Sequence, residues 1–236
     1  MHVEYHKWYS HRVHRDMELL VYGHTGVPVL VLPTSYARFY EWKDQGMMNT
    51  LGDKIDNGHL QFYLIDSLAG ATWYNYNAHP DTRMWYHNQW EQYVMHEVYP
   101  FMRYKNWNTF TILTGASFGA FLAVNFALKH PEYVNKVVAM AGGYETDFFG
   151  GYHSSDIYFN SPLEYIPNMH DHYTLERIRG IDWKLVTSTW DIEECRETTI
   201  QLSHKMWSKG IWNQRDIWND APHDWPSWHR MVRVYL

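Results

Sequence analysis

One serine in this sequence has the surroundings expected of a nucleophile. The motif GASFG at residues 115–119 matches G-x-S-x-G, with Ser117 at its centre. It follows the predicted strand Thr109–Thr114 and opens the predicted helix Phe118–Lys129, which is the setting that a serine on a sharp strand-to-helix turn requires. The glycines leave space where side chains would collide with the strand and the helix. We therefore predict that Ser117 is a nucleophile and that the backbone N–H of Phe118 stabilises an oxyanion.

A base must take the proton of a serine before its hydroxyl becomes a useful nucleophile at neutral pH. Seven of the 16 histidines follow the serine: His130, His153, His170, His172, His204, His223 and His229. His223 lies in the loop between the last predicted strand, Ile211–Trp218, and a last helix that Asp224 would cap. The others lie in or beside predicted helices, or in an irregular segment. His223 is therefore the predicted base.

An acid must orient this histidine and stabilise its charged form. In chain order it is expected after the serine and before the histidine, at the end of a strand. Asp191 follows the predicted strand Trp183–Thr189 and fits this position. Asp147, after the preceding strand, is an alternative, while Glu193 and Glu194 have the positions of first-turn residues in the next helix. Asp191 is the predicted acid, and the other three stay open as alternatives.

A second donor to the oxyanion is expected from the loop that follows the predicted strand Val27–Leu32. Pro33 has no backbone N–H and is excluded. The backbone N–H of Ser35 is the predicted donor, with that of Tyr36 as the alternative.

Short apolar segments alternate with helical segments along the chain. The predicted strands are Val3–Tyr9, Met17–Tyr22, Val27–Leu32, His59–Asp66, Thr109–Thr114, Val134–Ala141, Trp183–Thr189 and Ile211–Trp218. The predicted helices are Tyr40–Asn57, Arg83–Tyr104, Phe118–Lys129, Glu193–Lys209 and a last helix that runs to Val234. This alternation predicts an α/β protein with a largely parallel central sheet and helices on both faces. We expect a single domain over residues 1–236, with the irregular segment 144–180 as a small cap.

The bulk composition excludes several classes of protein. The chain has 236 residues, a formal net charge of −6, 45% hydrophobic residues and a mean hydropathy of −0.52. It has no long basic run, so nucleic acid is not an expected partner, and no apolar stretch of membrane-spanning length. Its first residues lack the apolar core of a signal peptide, which predicts a soluble, cytoplasmic protein unless a leader was removed. Cys195 is the only cysteine, so no internal disulfide is possible.

Histidines and aromatic residues are abundant, but neither group has a specific pattern. No HExxH motif or comparable ligand spacing occurs among the 16 His, so we expect no metal and no cofactor. Aromatic residues make up 18% of the chain, which we interpret mainly as core and surface packing. Those that could line a pocket for an acyl or aryl group are Trp73, Tyr74, Tyr152, Tyr158 and Phe159.

The sequence resembles the putative esterase family of α/β-hydrolases, which includes esterase D-like enzymes, feruloyl esterases and mycolyltransferases. The likeness is carried by LPTSYARFYEW after the third strand, TGASFGAFLAVNFALKHPE around the serine and PHDWPSWHRMVRVYL at the C-terminus. The order Ser117, Asp191, His223 is also that of the family. The resemblance extends over the whole chain and is weakest across residues 144–180. It implies the fold and the chemistry of the family but not a particular substrate.

The expected activity is hydrolysis of small-molecule carboxylic esters through an acyl-enzyme, without a cofactor. Transfer of the acyl group to an alcohol by the same three residues is a second hypothesis, because the sequence does not separate it from hydrolysis. A third hypothesis is a catalytically silent binding protein that keeps the fold. Its expected signature is a broken triad, whereas all three positions are filled in this chain.

Overall fold

The computed structural model describes residues 1–145 and 147–236, except for the side chain of Asp147. These residues form two compact units, 1–112 and 113–236. Among the described residues, no helix combines the length and the apolar character needed to cross a bilayer.

The N-terminal unit contains four strands. Its strands are β1 (Val3–Ser10), β2 (Arg15–Tyr22), β3 (Val27–Leu32) and β4 (Leu60–Ile65), in the lateral order β1-β2-β4-β3. The pairs β1/β2 and β2/β4 are antiparallel, whereas β3 and β4 are parallel. The apolar runs of β3 and β4 are almost completely buried, because both faces of these strands are covered. Each of these four strands lies where the sequence predicts one, with differences of one or two residues at some ends.

Two helical segments belong to the N-terminal unit. They contain α1 (Glu41–Asp44), α2 (Met47–Thr50), α3 (Gly52–Asp56), α4 (Pro80–Tyr93), a π-helical turn (Val94–Val98) and α5 (Tyr99–Lys105). The first segment, predicted as mostly helical, is divided because Gly46 has a φ of 77°, which is left-handed and leaves the α-helix. The second segment begins earlier than the predicted Arg83. His79 caps it by accepting a hydrogen bond from the N–H of Asp81, and Pro80 fits the first turn.

The C-terminal unit contains the remaining four strands and the longest helix. The strands are β5 (Ile112–Ala116), β6 (Lys136–Met140), β7 (Asp182–Ser188) and β8 (Asn213–Trp218), in the lateral order β5-β6-β7-β8. Its helices are α6 (Phe118–Lys129), α7 (Ser155–Tyr158), α8 (Pro162–Tyr165), α9 (His172–Arg179), α10 (Glu193–Ser208) and α11 (Trp225–Tyr235). The pairs β6/β7 and β7/β8 are parallel. Consecutive strands joined by helices thus bring their carboxyl ends to one edge of the sheet, where the candidate site lies.

The strand predicted over Thr109–Thr114 is wrong at its start, since β5 begins only at Ile112 and extends to Ala116. The Arg103 guanidinium explains the late start. It donates hydrogen bonds to the carbonyl oxygens of Asn108 and Thr109, so these residues form a loop held against α5 rather than a strand. At its other end, β5 includes the buried motif residues Gly115 and Ala116, and the turn begins directly at Ser117.

The segment 144–180, predicted as irregular, contains the three short helices α7, α8 and α9. Side-chain caps explain two of these helices. Ser154 accepts a hydrogen bond from the N–H of Ile157 at the start of α7, and Asp171 accepts one from the N–H of Thr174 at the start of α9. That this segment acts as a cap stays a prediction.

Candidate active site

Ser117 lies between the last residue of β5 and the first residue of α6, with a φ of 54° and a ψ of −124°. A positive φ is unfavourable for a residue that carries a Cβ atom, at a cost of about 1–3 kcal/mol. Neighbouring groups hold this conformation. The N–H of Ser117 donates to the carbonyl oxygen of Met140 at 2.9 Å, and its own carbonyl accepts from the N–H groups of Ala120 and Phe121. The serine is therefore fixed on a strained turn, at the end of a strand and the start of a helix.

The first glycine of the motif is required by the close approach of α6. A Cβ atom added to Gly115 would lie 2.3 Å from the carbonyl carbon of Gly119 and 2.4 Å from its oxygen. These are backbone atoms, which have no side-chain freedom to move away. Only glycine therefore fits at position 115 with this turn.

The imidazole of His223 faces the serine. Its Nε2 atom lies 3.0 Å from Oγ of Ser117, and its Nδ1 atom lies 2.7 Å from Oδ1 of Asp191. Its ring and that of Trp228 form a T-shaped pair, with 5.1 Å between the ring centroids. His223 belongs to the loop between β8 and α11, and Asp224, the next residue, caps α11 by accepting from the N–H of Ser227. The cap fixes where the loop ends and thereby limits where the imidazole can lie.

The carboxylate of Asp191 is buried and fully engaged, with 1% of its side chain exposed. Besides the imidazole, Oδ1 accepts a hydrogen bond from the N–H of Ile192, and Oδ2 accepts one from the hydroxyl of Thr187 at 2.7 Å. A carboxylate can only accept, so Nδ1 of His223 must donate to it. This assigns the proton to Nδ1 and leaves the lone pair of Nε2 directed at the hydroxyl of Ser117.

The alternative acids have other positions. Glu193 and Glu194 occupy the first turn of α10, as predicted for residues that favour the helix dipole. The side chain of Asp147 lies outside the described residues. Among the described carboxylates, Asp191 is the one that the structure brings to His223.

Sequence reasoning missed two hydroxyl groups at the end of β7. Thr187 donates to Asp191, and Oγ of Ser188 accepts from the N–H groups of both Trp190 and Ala221, each at 3.1 Å. One hydroxyl thus connects the turn that carries the acid with the loop that carries the histidine. The only sequence signal is a Thr-Ser pair at a strand end, which is too common to indicate this role.

Cys195, which has no possible disulfide partner in this chain, lies beside Asp191 and His223. Its Sγ atom, a carboxylate oxygen of Asp191 and a ring nitrogen of His223 all lie within 4.8 Å of one another. Burial, followed by the negative charges of Asp191 and Glu194, raises the pKa of this thiol to about 12. The thiol is therefore protonated at neutral pH.

The two predicted oxyanion donors lie in different units. Phe118 is the first residue of α6, a twelve-residue helix. The first N–H groups of an α-helix have no hydrogen-bond acceptor within the helix. Ser35 lies in the loop after β3, and its hydroxyl forms a hydrogen bond of 2.7 Å with that of Tyr74. The neighbouring Tyr36 has a positive φ of 59°. The roles of Phe118 and Ser35 stay predictions.

Comparison with known proteins gives the family. The model of the putative esterase family matches residues 10–235. The chain belongs to the putative esterase family. As a member of that family it is a carboxylic ester hydrolase, which confirms the resemblance and the class of activity predicted from the sequence. A search of curated proteins found no significant match.

Solved structures with the α/β-hydrolase fold resemble this esterase over nearly its whole length. The structure of a ferulic acid esterase aligns with a TM-score of 0.75 at 15% sequence identity, over 99% of this chain and 95% of the ferulic acid esterase chain. An S-formylglutathione hydrolase from Agrobacterium tumefaciens has a TM-score of 0.74 at 12% identity, over 98% of this chain and 92% of the hydrolase chain. The S-formylglutathione hydrolase FrmB from Staphylococcus aureus has a TM-score of 0.69 at 13% identity, over 99% of this chain and 95% of the FrmB chain. These similarities confirm the predicted α/β-hydrolase fold.

Proposed function

We propose that this esterase cleaves small-molecule carboxylic esters through an acyl-enzyme on Ser117, with His223 as the base and Asp191 as the acid that orients it. The observation that carries the proposal is one continuous line of hydrogen bonds. It runs from Oγ of Ser117 to Nε2 of His223 at 3.0 Å, and from Nδ1 of His223 to Oδ1 of Asp191 at 2.7 Å. This is the arrangement that activates a serine hydroxyl at neutral pH.

Acylation begins when Oγ of Ser117 attacks the carbonyl carbon of the ester while its proton moves to Nε2 of His223. The resulting imidazolium is stabilised by the buried carboxylate of Asp191. The carbonyl oxygen becomes an oxyanion, which accepts hydrogen bonds from the N–H groups of Phe118 and Ser35. When the tetrahedral intermediate collapses, the C–O bond to the alcohol breaks, and Nε2 gives its proton to the leaving oxygen.

Deacylation repeats these steps with water. A water molecule gives a proton to Nε2 of His223 and attacks the acyl carbon. The bond to Oγ of Ser117 then breaks, and the proton returns to that oxygen. The carboxylic acid leaves, and the enzyme regains its starting protonation. No cofactor enters this sequence of steps.

The names of the structural neighbours define a first set of substrates. One is a ferulic acid esterase and two are S-formylglutathione hydrolases, so methyl ferulate and S-formylglutathione belong beside simple p-nitrophenyl esters. Small esters are proposed as substrates, and a cytoplasmic location stays a prediction.

The test compares the wild type with Ser117→Ala and His223→Ala on p-nitrophenyl acetate, p-nitrophenyl butyrate and the two neighbour-derived substrates. We expect each variant to lose about a thousandfold or more in kcat, because the nucleophile and its base act as one unit. Labelling by a fluorophosphonate, followed by peptide mass mapping, is expected at Ser117 in the wild type and not in Ser117→Ala.

Two exposed residues of α10 serve as matched controls. Ser208→Ala and His204→Ala remove the same chemical groups from the surface, and both variants should keep wild-type activity. Full activity in Ser117→Ala or His223→Ala would rule out the mechanism. If added alcohols take up the acyl group faster than water does, the activity is transfer rather than hydrolysis.

A further inference from the structure

The loop after β3 forms a hydrogen-bonded turn that leaves two N–H groups without an acceptor. The N–H of Ala37 donates to the carbonyl oxygen of Thr34 at 3.2 Å, which closes the turn over Ser35 and Tyr36. The N–H of Thr34 is also engaged, whereas those of Ser35 and Tyr36 have no hydrogen-bond partner among the described residues. The proposed mechanism uses the N–H of Ser35 for the oxyanion.

The backbone of this turn is strained at Tyr36, its third residue, which has a φ of 59°. A positive φ at the third position of a turn usually belongs to Gly or Asn, because a Cβ atom makes it unfavourable. The ring of Tyr36 lies against that of Tyr74, with 4.5 Å between the centroids and 35° between the planes. This ring contact favours a turn that the backbone of Tyr36 by itself disfavours.

Two side chains anchor the peptide group between Thr34 and Ser35, to which the N–H of Ser35 belongs. The carboxylate of Glu41 in α1 accepts hydrogen bonds from the N–H of Thr34 at 2.9 Å and from its hydroxyl at 2.5 Å. The hydroxyl of Ser35 forms a hydrogen bond of 2.7 Å with that of Tyr74. Because the residues on both sides of this peptide group are held, the direction of its N–H is restrained.

Tyr74 is itself held by α4, which fixes the segment after β4. Arg83 donates hydrogen bonds to the carbonyl oxygens of Thr72 and Trp73, the two residues that precede Tyr74. The indole N–H of Trp73 donates to Nδ1 of His87 at 3.1 Å. Arg83 and His87 are buried residues of this 14-residue helix, so the phenol of Tyr74 extends from a rigid support.

We propose that Tyr74 is a positioning residue of the esterase, which holds the N–H of Ser35 ready for the oxyanion. Its hydroxyl restrains Ser35, and its ring restrains Tyr36. A donor that is already in place stabilises the transition state more than one that must be ordered during the reaction. A displacement of about 1 Å at such a group can cost about a hundredfold in rate. The inference rests on the proposed function, because it requires Ser35 to bind the oxyanion.

The hydroxyl is tested with Tyr74→Phe, which keeps the ring against Tyr36. We expect kcat and kcat/KM for p-nitrophenyl acetate to fall equally, by about tenfold, because the oxyanion exists only beyond the ground state. Tyr74→Leu also removes the ring and should lower kcat further. Tyr104→Phe is the matched control, since this tyrosine at the end of α5 is 84% exposed and its variant should keep the wild-type rate.

A double-mutant cycle with Ser35→Ala measures whether Tyr74 acts through Ser35. Ser35→Ala removes the same hydrogen bond from its other side and keeps the N–H. If the two hydroxyls act as a pair, each single variant and the double variant lose about the same tenfold in kcat. A loss of about a hundredfold in the double variant, the product of two independent effects, would contradict the proposal. The two single variants test the same bond even if one of them does not fold.

The turn is also measured without substrate, by hydrogen–deuterium exchange of a peptide that covers residues 33–40. The hydrogen-bonded N–H groups of Thr34 and Ala37 should exchange faster in Tyr74→Phe than in the wild type or in Tyr104→Phe. Unchanged exchange would overturn the proposal.

Failure of the proposed function has a different signature. Full activity in Ser117→Ala would overturn the proposed mechanism and, with it, the role of Tyr74. Full activity in Tyr74→Phe, beside an inactive Ser117→Ala, would overturn the positioning role alone.

Discussion

Ser117 must meet two demands, a strained backbone and a hydroxyl that points at a base. Its φ of 54° is maintained by hydrogen bonds from its N–H and to its carbonyl, which belong to β6 and α6 respectively. These hydrogen bonds to β6 and α6 thus offset the backbone strain of about 1–3 kcal/mol. In return, Oγ lies 3.0 Å from Nε2 of His223. This arrangement is possible only because residue 115 is a glycine and has no side chain.

We predict that Gly115→Ala destabilises the protein and abolishes esterase activity. The added Cβ atom would lie 2.3 Å from the carbonyl carbon of Gly119, so β5 and α6 must separate. Overpacking of this kind lowers the free energy of unfolding by about 1–3 kcal/mol. Urea denaturation measures the loss of stability, and turnover of p-nitrophenyl acetate measures the displacement of Ser117.

Gly52→Ala in α3 is the matched control. A Cβ atom at this position has no atom within 4 Å, so the variant should keep full activity. Its stability should be unchanged or raised by about 0.5–1 kcal/mol, because alanine favours a helix over glycine. If Gly115→Ala behaves like Gly52→Ala, the steric explanation of the turn is wrong.

Two loops must be aligned at the scale of elements, the turn after β7 and the loop before α11. Ser188, the last residue of β7, receives the N–H groups of Trp190 and Ala221 on a single oxygen atom. Asp191 and His223 follow these two residues closely in the chain. We therefore predict that Ser188 is a positioning residue, which acts on Asp191 and His223 through the backbone.

Ser188→Ala should lower kcat about tenfold and leave KM nearly unchanged. Two N–H groups lose their acceptor, at a cost of about 1–3 kcal/mol for the buried N–H of Ala221 and less for the part-buried N–H of Trp190, and the His223 loop is free to move. Steady-state kinetics separates kcat from KM. A loss of stability with unchanged kcat would mean that Ser188 is only structural.

Rescue by a conservative variant sharpens this test. Ser188→Thr keeps the hydroxyl and should recover part of the lost kcat, whereas Ser188→Val has a similar shape to threonine without the hydroxyl and should not. Equal rates for these two variants would contradict the role of the hydroxyl.

At the scale of the whole molecule, a single family match covers a chain that divides into two compact units. The family model spans residues 10–235, across both units, 1–112 and 113–236. The sequence predicts a single domain, and 236 residues lie within the usual size of one. Cooperativity of unfolding is the property that distinguishes one domain from two.

We predict a single unfolding transition in scanning calorimetry, with equal calorimetric and van't Hoff enthalpies. Gly115→Ala should shift the whole transition to lower temperature, by about 2–4 °C for each kcal/mol of lost stability. Two resolved transitions, of which only one moves in Gly115→Ala, would show that the units unfold as separate domains.

The sequence alone determined those parts of the protein that depend on local pattern. The bounds of β3 and α6 are as predicted, because a short, fully apolar run and a helix between a tight turn and His130-Pro131 leave few alternatives. The serine motif is equally local, since the glycine and the strained residue lie within one turn. The start of β5 differs from the prediction, because it depends on Arg103, a side chain from α5.

The tertiary structure alone decided which distant groups meet. Ser117 and His223 are 106 residues apart in the sequence, and four acids were candidates to face the histidine. The parallel order β5-β6-β7-β8 brings the carboxyl ends of these strands to one edge, and there Asp191 reaches His223. The same packing places Ser188 and Cys195 beside them. The contacts of Ser188 and Cys195 have no sequence signal, because they arise from the positions of strands and not from the spacing of residues along the chain.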